Sequence, residues 1–258
     1  MELKDNLKIR NFSKETIKSY NYYLTKFQSF IKTRLNIINT ENVNQFLLTL
    51  NSPSSRRIAL AAIKQNYPSI NIEFPSIKRS KPLPRTLSKQ EVISLINSAS
   101  NLKHKLLIEF LYSTGLRLSE VQKAKFQDVN YENNTFIVRK GKGDKARLTI
   151  LSPQLTAKIK SLENLSQSRY IFISNRDKPY SKKTIQKILE NAAKHAKLNK
   201  KVTPHMLRHS FATHLLEQGT DIQYIQKLLG HQRLETTQIY THVASTDLAK
   251  IKNPLDNL

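Results

Sequence analysis

The sequence predicts a mainly α-helical protein with a small antiparallel β-sheet, divided between two domains. Three observations carry that reading. Apolar residues recur at i, i+3, i+4 spacing through most of the 258 residues, as amphipathic helices require. Two runs of strand-forming residues, 135–138 and 147–151, flank a glycine-containing turn. Between the helical halves lies FPSIKRSKPLPR, residues 74–85, whose three prolines no helix accommodates.

Residues 1–74 read as a domain of four short helices. One over residues 2–9 precedes a longer helix that Ser13 caps and that runs to about Lys32. Ile17, Tyr20, Tyr23, Leu24, Phe27, Phe30 and Ile31 form the apolar stripe of that longer helix. Residues 40–50 follow, with Val43, Phe46, Leu47 and Leu50 on one face. Ser52 and Pro53, a cap and a proline at the first helical position, open a fourth helix through about Asn66. It carries Arg56, Arg57 and Lys64 beside Ile58, Leu60 and Ile63. Residues 75–87 form an extended basic linker containing Lys78, Arg79 and Lys81, suited to lie along a phosphate backbone or to act as a solvated spacer.

The second domain, residues 88–258, opens on a capping box, Ser88 with Glu91 three residues on. Residues 105–113 form a strongly apolar, buried helix that Gly115 ends, and Leu116-Arg117-Leu118-Ser119-Glu120 enters the next. The two strands are joined by Arg139, Lys140, Lys142 and Lys145 with two glycines, a flexible cationic hairpin tip. A third strand is expected at residues 170–173. Ser181 caps a basic helix to about Lys197, with Ile185, Ile188, Leu189, Ala192 and Ala196 inward. Thr203 and Pro204 start a helix that Gly219 ends; residues 221–229 form another, stopped by Gly230. The tail over residues 244–258 places Leu248, Ile251 and Leu255 at i, i+3, i+7 and suits docking on its own chain or on a neighbouring subunit.

Lys+Arg number 43 against 19 Asp+Glu, a formal net charge of +24. Residues 1–84 hold 14 of the basic and 5 of the acidic residues, so both domains share the excess. Such a charge destabilises a compact chain by self-repulsion unless a polyanion neutralises it. Nucleic acid is the first candidate partner and an anionic membrane surface the second; a basic packaging protein fits the composition as well as an enzyme does. No stretch approaches the roughly 20 apolar residues of a membrane span, and the first ten residues hold no signal-peptide core. The expectation is a soluble, cytoplasmic protein without a membrane partner. The absence of cysteine excludes disulfides, Cys-ligated zinc and a thiol nucleophile.

Chemistry concentrates in residues 203–243, TPHMLRHSFATHLLEQGTDIQYIQKLLGHQRLETTQIYTHV. Breaking a phosphodiester requires cations on the non-bridging oxygens, a nucleophile that holds the phosphoryl group, and an acid for the leaving oxygen. Arg117 and Arg208 suit the first need, because guanidinium forks match phosphate geometry. Tyr240 suits the second and Lys142 the third, with His205 and His231 as hydrogen-bond donors or proton shuttles. Each has a plainer alternative: a salt-bridged arginine, a solvated turn lysine, one packing tyrosine among ten. His205 and His209 stand at i, i+4, but no glutamate follows as in HExxH and no third ligand is evident, so neither metal nor cofactor is expected. His209 and His214 read as structural members of their helix.

In order, TGLRLSE, the GKG turn, HMLRHSFATHLL, LGH and TTQIYTHV resemble the motif series of the tyrosine recombinases, the phage integrase family, and most of all their Xer group in bacteria and archaea. The resemblance implies an N-terminal core-binding, SAM-like domain followed by an α+β catalytic domain. It implies Arg117, Lys142, His205, Arg208, His231 and Tyr240 as the active-site set, with Glu120 in support. It also implies an enzyme that needs neither metal nor ATP. Tyr240 would form a 3′-phosphotyrosine link, and strands would be exchanged through a Holliday junction within a tetramer on two specific duplex sites. Arg56, Arg57, Lys64, Lys78, Arg79, Lys81, Arg139, Lys140 and Lys145 are the expected DNA contacts. Resolution of chromosome or plasmid dimers is the first expected role and integration or excision of a mobile element the second. A non-catalytic DNA-binding protein and a relaxing enzyme of the type IB topoisomerase kind are further alternatives.

Overall fold

Hydroxyl and amide caps set where the N-terminal helices begin. The computed structural model describes residues 12–34, 37–70, 85–139, 146–231, 234–238 and 240–241. The chain splits into two units, Met1–Lys81 and Pro82–Leu258. In the first, α1 (Lys14–Lys32), α2 (Thr40–Leu48) and α3 (Pro53–Asn66) start where Ser13, Asn39 and Ser52 accept the backbone N–H three residues on, at 3.1, 2.8 and 3.4 Å. Their apolar faces meet in one core: Leu24, Phe27 and Ile31 from α1, Val43, Phe46 and Leu47 from α2, and Ala59, Ala62 and Ile63 from α3. The helix expected over residues 2–9 lies outside the described residues, as do the linker positions Lys78, Arg79 and Lys81.

The second unit is helical around one small sheet. It contains α4 (Lys89–Asn97), α5 (Leu102–Thr114) and α6 (Leu118–Val121), then β1 (Val129–Asn130), β2 (Thr135–Val138) and β3 (Arg147–Ile150). After these come α7 (Pro153–Asn164), α8 (Lys182–His195), α9 (Pro204–Glu217), α10 (Ile222–Leu229) and α11 (Glu235–Gln238). The sheet is antiparallel in the order β1-β2-β3, with Val129 opposite Phe136 and Val138 opposite Arg147. Helix α5 lies at the centre of the core, and its Phe110 ring meets Phe136 and Phe172 edge-on, each with centroids 5.2 Å away.

One expected strand is corrected. Residues 170–173 do not join the sheet; they make isolated bridges, Lys125 with Tyr170 and Ile173 with Pro179. Ile171 and Phe172 are adjacent and both 3% exposed, so the segment drives two successive side chains into the core where a strand would alternate. The third strand is instead β1, two residues long and too short to show a period. The hairpin tip, with Lys140, Lys142 and Lys145, and the tail over residues 244–258 lie outside the described residues.

Gly115 turns the chain from α5 toward Arg117. Its φ of 59° is left-handed, and a Cβ there would lie 2.5 Å from the Phe211 ring. Gly115→Ala therefore combines backbone strain with overpacking, and is expected to lower the unfolding free energy by about 3 kcal/mol. Gly219→Ala is the control: φ is 86°, yet nothing lies within 4 Å of the added Cβ. That change is expected to cost about 1 kcal/mol. Urea denaturation of the two variants measures the difference.

Candidate active site

The site is built at the C-terminal end of α10. The last carbonyls of a helix have no partner within it and carry the negative end of its dipole. Here three consecutive carbonyls each accept from a different arginine. Leu228 takes Arg147 Nε at 2.9 Å, Leu229 takes Arg208 Nη2 at 2.6 Å, and Gly230 takes Arg117 Nη2 at 3.1 Å. Gly230 closes the helix with φ 63°, and a Cβ there would sit 2.7 Å from Arg147 Cδ. Glycine is thus required by backbone conformation and by the side chain beneath it.

Glu120 fixes two of the three guanidinium groups. Its carboxylate accepts Arg147 Nη1 and Nη2 at 2.8 and 2.6 Å, a two-pronged pair, and also Arg117 Nη1 at 3.0 Å and the Arg117 backbone N–H at 2.8 Å. Burial alone would raise this carboxyl. The hydrogen bond and charge of Arg147, joined by Arg117, outweigh it and hold the group to about 2.

Among the described residues, no carboxylate pairs directly with Arg208. It is buried on α9, donating to the Gly115 carbonyl at 2.6 Å, to Leu229, and to His231 Nε2 at 3.0 Å. Burial, then the charges of Arg117 and Arg147, lower its pKa to about 9. A guanidinium only donates, so His231 Nε2 must present its lone pair, and Nδ1–H donates to Thr237 Oγ1 at 2.9 Å. His231 is accordingly neutral: burial and then Arg208 and Arg117 hold its pKa to about 3.

Tyr240 is 1% exposed. Its ring stacks on His231, centroids 6.4 Å apart at 16°, and its hydroxyl meets His209 Nδ1 at 3.0 Å. Burial raises the phenol above its ordinary value, while the charges of Arg208 and Arg117 act the other way. His205, three residues before Arg208 on α9, is exposed and hydrogen-bonds to no described residue. Among the described residues, no group of three His, Asp or Glu is placed to hold a metal ion, and no helix is long and apolar enough to cross a membrane.

The structure thus gathers Arg117, Glu120, Arg208, His231 and Tyr240 into one cradle, while Lys142 lies outside the described residues. Of the expected DNA contacts in this unit, Arg139 is described, and it pairs with buried Asp128 at 2.5 Å. In the first unit, Arg56 donates to the Leu50 carbonyl at 2.8 Å, Arg57 reaches Ser54, and Lys64 is exposed.

Sequence reasoning missed two members. His209 does not serve helix packing alone, because its Nδ1 meets the Tyr240 hydroxyl. Arg147 reads in the sequence as an ordinary strand residue, yet β3 is inside-out. Arg147 and Thr149 turn inward, while Leu148 and Ile150 are 57% and 40% exposed. Polar residues at the inward period of a short strand were the available signal.

Fold and site together define a mainly helical unit that gathers guanidinium groups and histidines beside a buried tyrosine. The phage integrase family matches residues 85–247. The tyrosine recombinase XerA of Pyrococcus horikoshii is 38% identical, over 94% of this chain and 88% of its own. A crystal structure of XerA recombinase is 31% identical, with TM-score 0.58 over 96% of this chain and 93% of that one. The XerH site-specific recombinase, solved as a pre-cleavage complex with difH substrate, is 26% identical with TM-score 0.73 over 91% of this chain and 77% of that one. The chain belongs to the phage integrase family, and it is a tyrosine recombinase, an enzyme of DNA strand cleavage and rejoining.

The Glu120 clamp has a pH signature. Its folded pKa, about 2, lies below the ordinary 4.5, so its stabilisation is complete above pH 4.5 and lost as pH falls from there to 2. The difference corresponds to about 3 kcal/mol. Over that interval wild-type unfolding free energy is expected to fall by about this much more than that of Glu120→Gln, measured by denaturant titration at each pH.

Proposed function

We propose that this chain cuts and rejoins duplex DNA at a specific site, with Tyr240 as nucleophile. The observation that carries the reading is the charge of the cradle. Among the described residues, the three guanidinium groups gathered here have one carboxylate between them, bonded to two of the three, and the histidines held near 3 and 4 add no charge. Two positive charges remain uncompensated around a phenol. A phosphodiester brings the anion that satisfies them.

In this reading Arg117 and Arg208 take the two non-bridging oxygens of the scissile phosphate, while Arg147 holds Glu120 and, through it, Arg117. His231 keeps Arg208 in place with one nitrogen and is itself fixed by Thr237. His205, exposed on the same helix as Arg208, donates to the phosphate. Tyr240 Oη attacks phosphorus and forms the 3′-phosphotyrosine link; Lys142 protonates the leaving 5′-oxygen. The buried tyrosine of the DNA-free chain becomes accessible as the phosphate docks. The bond energy stays in the link, so rejoining needs neither ATP nor metal. Two rounds of exchange proceed through a Holliday junction in a tetramer on two sites.

Residues 1–74 act as the core-binding domain, joined through residues 75–87 to the catalytic domain, and Arg56, Arg57 and Lys64 contact the backbone from α3. The XerA relatives and the difH complex of XerH support action on a specific DNA site; resolution of chromosome or plasmid dimers in the cytoplasm is the role we propose for it.

Incubation with a nicked suicide duplex and a denaturing gel test this. Wild type is expected to yield a covalent protein–DNA adduct and Tyr240→Phe none, while Arg208→Lys slows adduct formation by about 10²–10³-fold. Affinity is expected to fall with salt by about 0.9 log unit per log unit for each phosphate neutralised. An adduct formed by Tyr240→Phe contradicts the assignment. Relaxation of plasmids lacking any site, without recombinants, identifies a relaxing enzyme instead.

A further inference from the structure

We propose that His209 is the proton acceptor for Tyr240, an additional catalytic side chain in the strand-cleaving step. The inference rests on the reading of Tyr240 as nucleophile and asks how that phenol loses its proton.

A buried phenol with a raised pKa is neutral at physiological pH, so attack on phosphorus needs a base within hydrogen-bond reach. His231, stacked on the ring, is occupied: Nε2 accepts from Arg208 and Nδ1 donates to Thr237, leaving no lone pair for the phenol. His205 hydrogen-bonds to no described residue. His209 Nδ1 stands 3.0 Å from Tyr240 Oη, and it is the hydrogen-bond partner of that hydroxyl among the described residues. Donation from the phenol to Nδ1 leaves the oxygen lone pairs free for phosphorus. Helix α9 therefore supplies both the clamp, at Arg208, and the base one residue later.

The electrostatics give this pair a trigger. Burial, then the charges of His205 and Arg208, hold His209 to about 4, so it is neutral and ready to accept. The charged and titratable groups around it are His205 and Arg208 on its own helix and His231 and Tyr240 opposite. Without DNA it is too weak a base for the phenol, and the nucleophile stays protonated. A phosphate anion settling between the guanidinium groups offsets the positive field and raises the basicity of His209 when the substrate is in place. The Oη–H bond then breaks with its proton going to Nδ1. The Oη–P bond forms as the P–O5′ bond breaks, and the 5′-oxygen takes its proton from the acid, Lys142. Rejoining reverses each transfer.

The test is single-turnover cleavage by the full chain, on an ordinary suicide duplex and on one with a 5′-bridging sulfur at the scissile phosphate, whose thiolate leaves without an acid. His209→Asn keeps a hydrogen-bond acceptor near the Nδ1 position but takes no proton. It is expected to bind DNA like wild type in a gel shift and to cleave about 10²-fold more slowly. It is expected to stay slow on the sulfur duplex and to gain rate with rising pH where wild type levels off. His209→Gln is the second variant, used if Asn impairs folding. Wild-type rates for a folded, DNA-binding His209 variant on either duplex overturn the proposal. Wild type and Tyr240→Phe run beside them: no adduct from wild type removes the nucleophile assignment and this inference with it, whereas an adduct from wild type with an unimpaired His209→Asn removes the inference alone.

Discussion

Three neighbouring carbonyls at the end of α10 decide the geometry of everything around them. Leu228, Leu229 and Gly230 each hold a guanidinium from a different part of the chain: the first position of β3, the middle of α9 and the start of α6. Like charges at this separation repel, and a helix C-terminus is the backbone feature that holds them with partial negative charge alone. Glu120 adds one full negative charge and fixes two of the three. The cradle therefore carries net positive charge on donors that are already fixed, which is the property the proposed phosphate-binding role requires.

That arrangement explains why the remaining residues have their states. Burial, and then the positive field, keep His209 and His231 neutral; His231 accepts from Arg208 at Nε2, and His209 Nδ1 meets the Tyr240 hydroxyl. The same field opposes the effect of burial on Tyr240. Thr237 and Arg208 fix the His231 ring, and that ring forms one wall of the tyrosine's niche. A single glycine on each side, Gly115 and Gly230, supplies the turns that bring these elements together.

Much of this was legible in the sequence wherever the cause is local. Ser13, Ser52, Ser88, Ser181 and Thr203 each accept a backbone N–H three residues on, as their positions before apolar runs predict. Gly115 and Gly230 end their helices in the left-handed conformation. What was not legible depends on contacts distant in the chain. A two-residue strand such as β1 has no periodicity to detect, and the 170–173 run looks like a strand until Ile171 and Phe172 are seen to share the core. Arg147 gains its meaning from Glu120 and Leu228, 27 and 81 residues away, and His209 from Tyr240, 31 residues away. Helical periodicity assigns His209 to a face but does not say what stands opposite.

On the proposed function, the uncompensated charge of this cradle brings a DNA phosphate to one phenolic oxygen. Peptide mapping of the covalent protein–DNA complex by mass spectrometry, after nuclease digestion, tests it most directly. The residual phosphonucleotide is expected on Tyr240, in the peptide that follows Gly230. Its recovery on another side chain, or a stable complex that carries no covalent nucleotide on any tyrosine, would contradict the account.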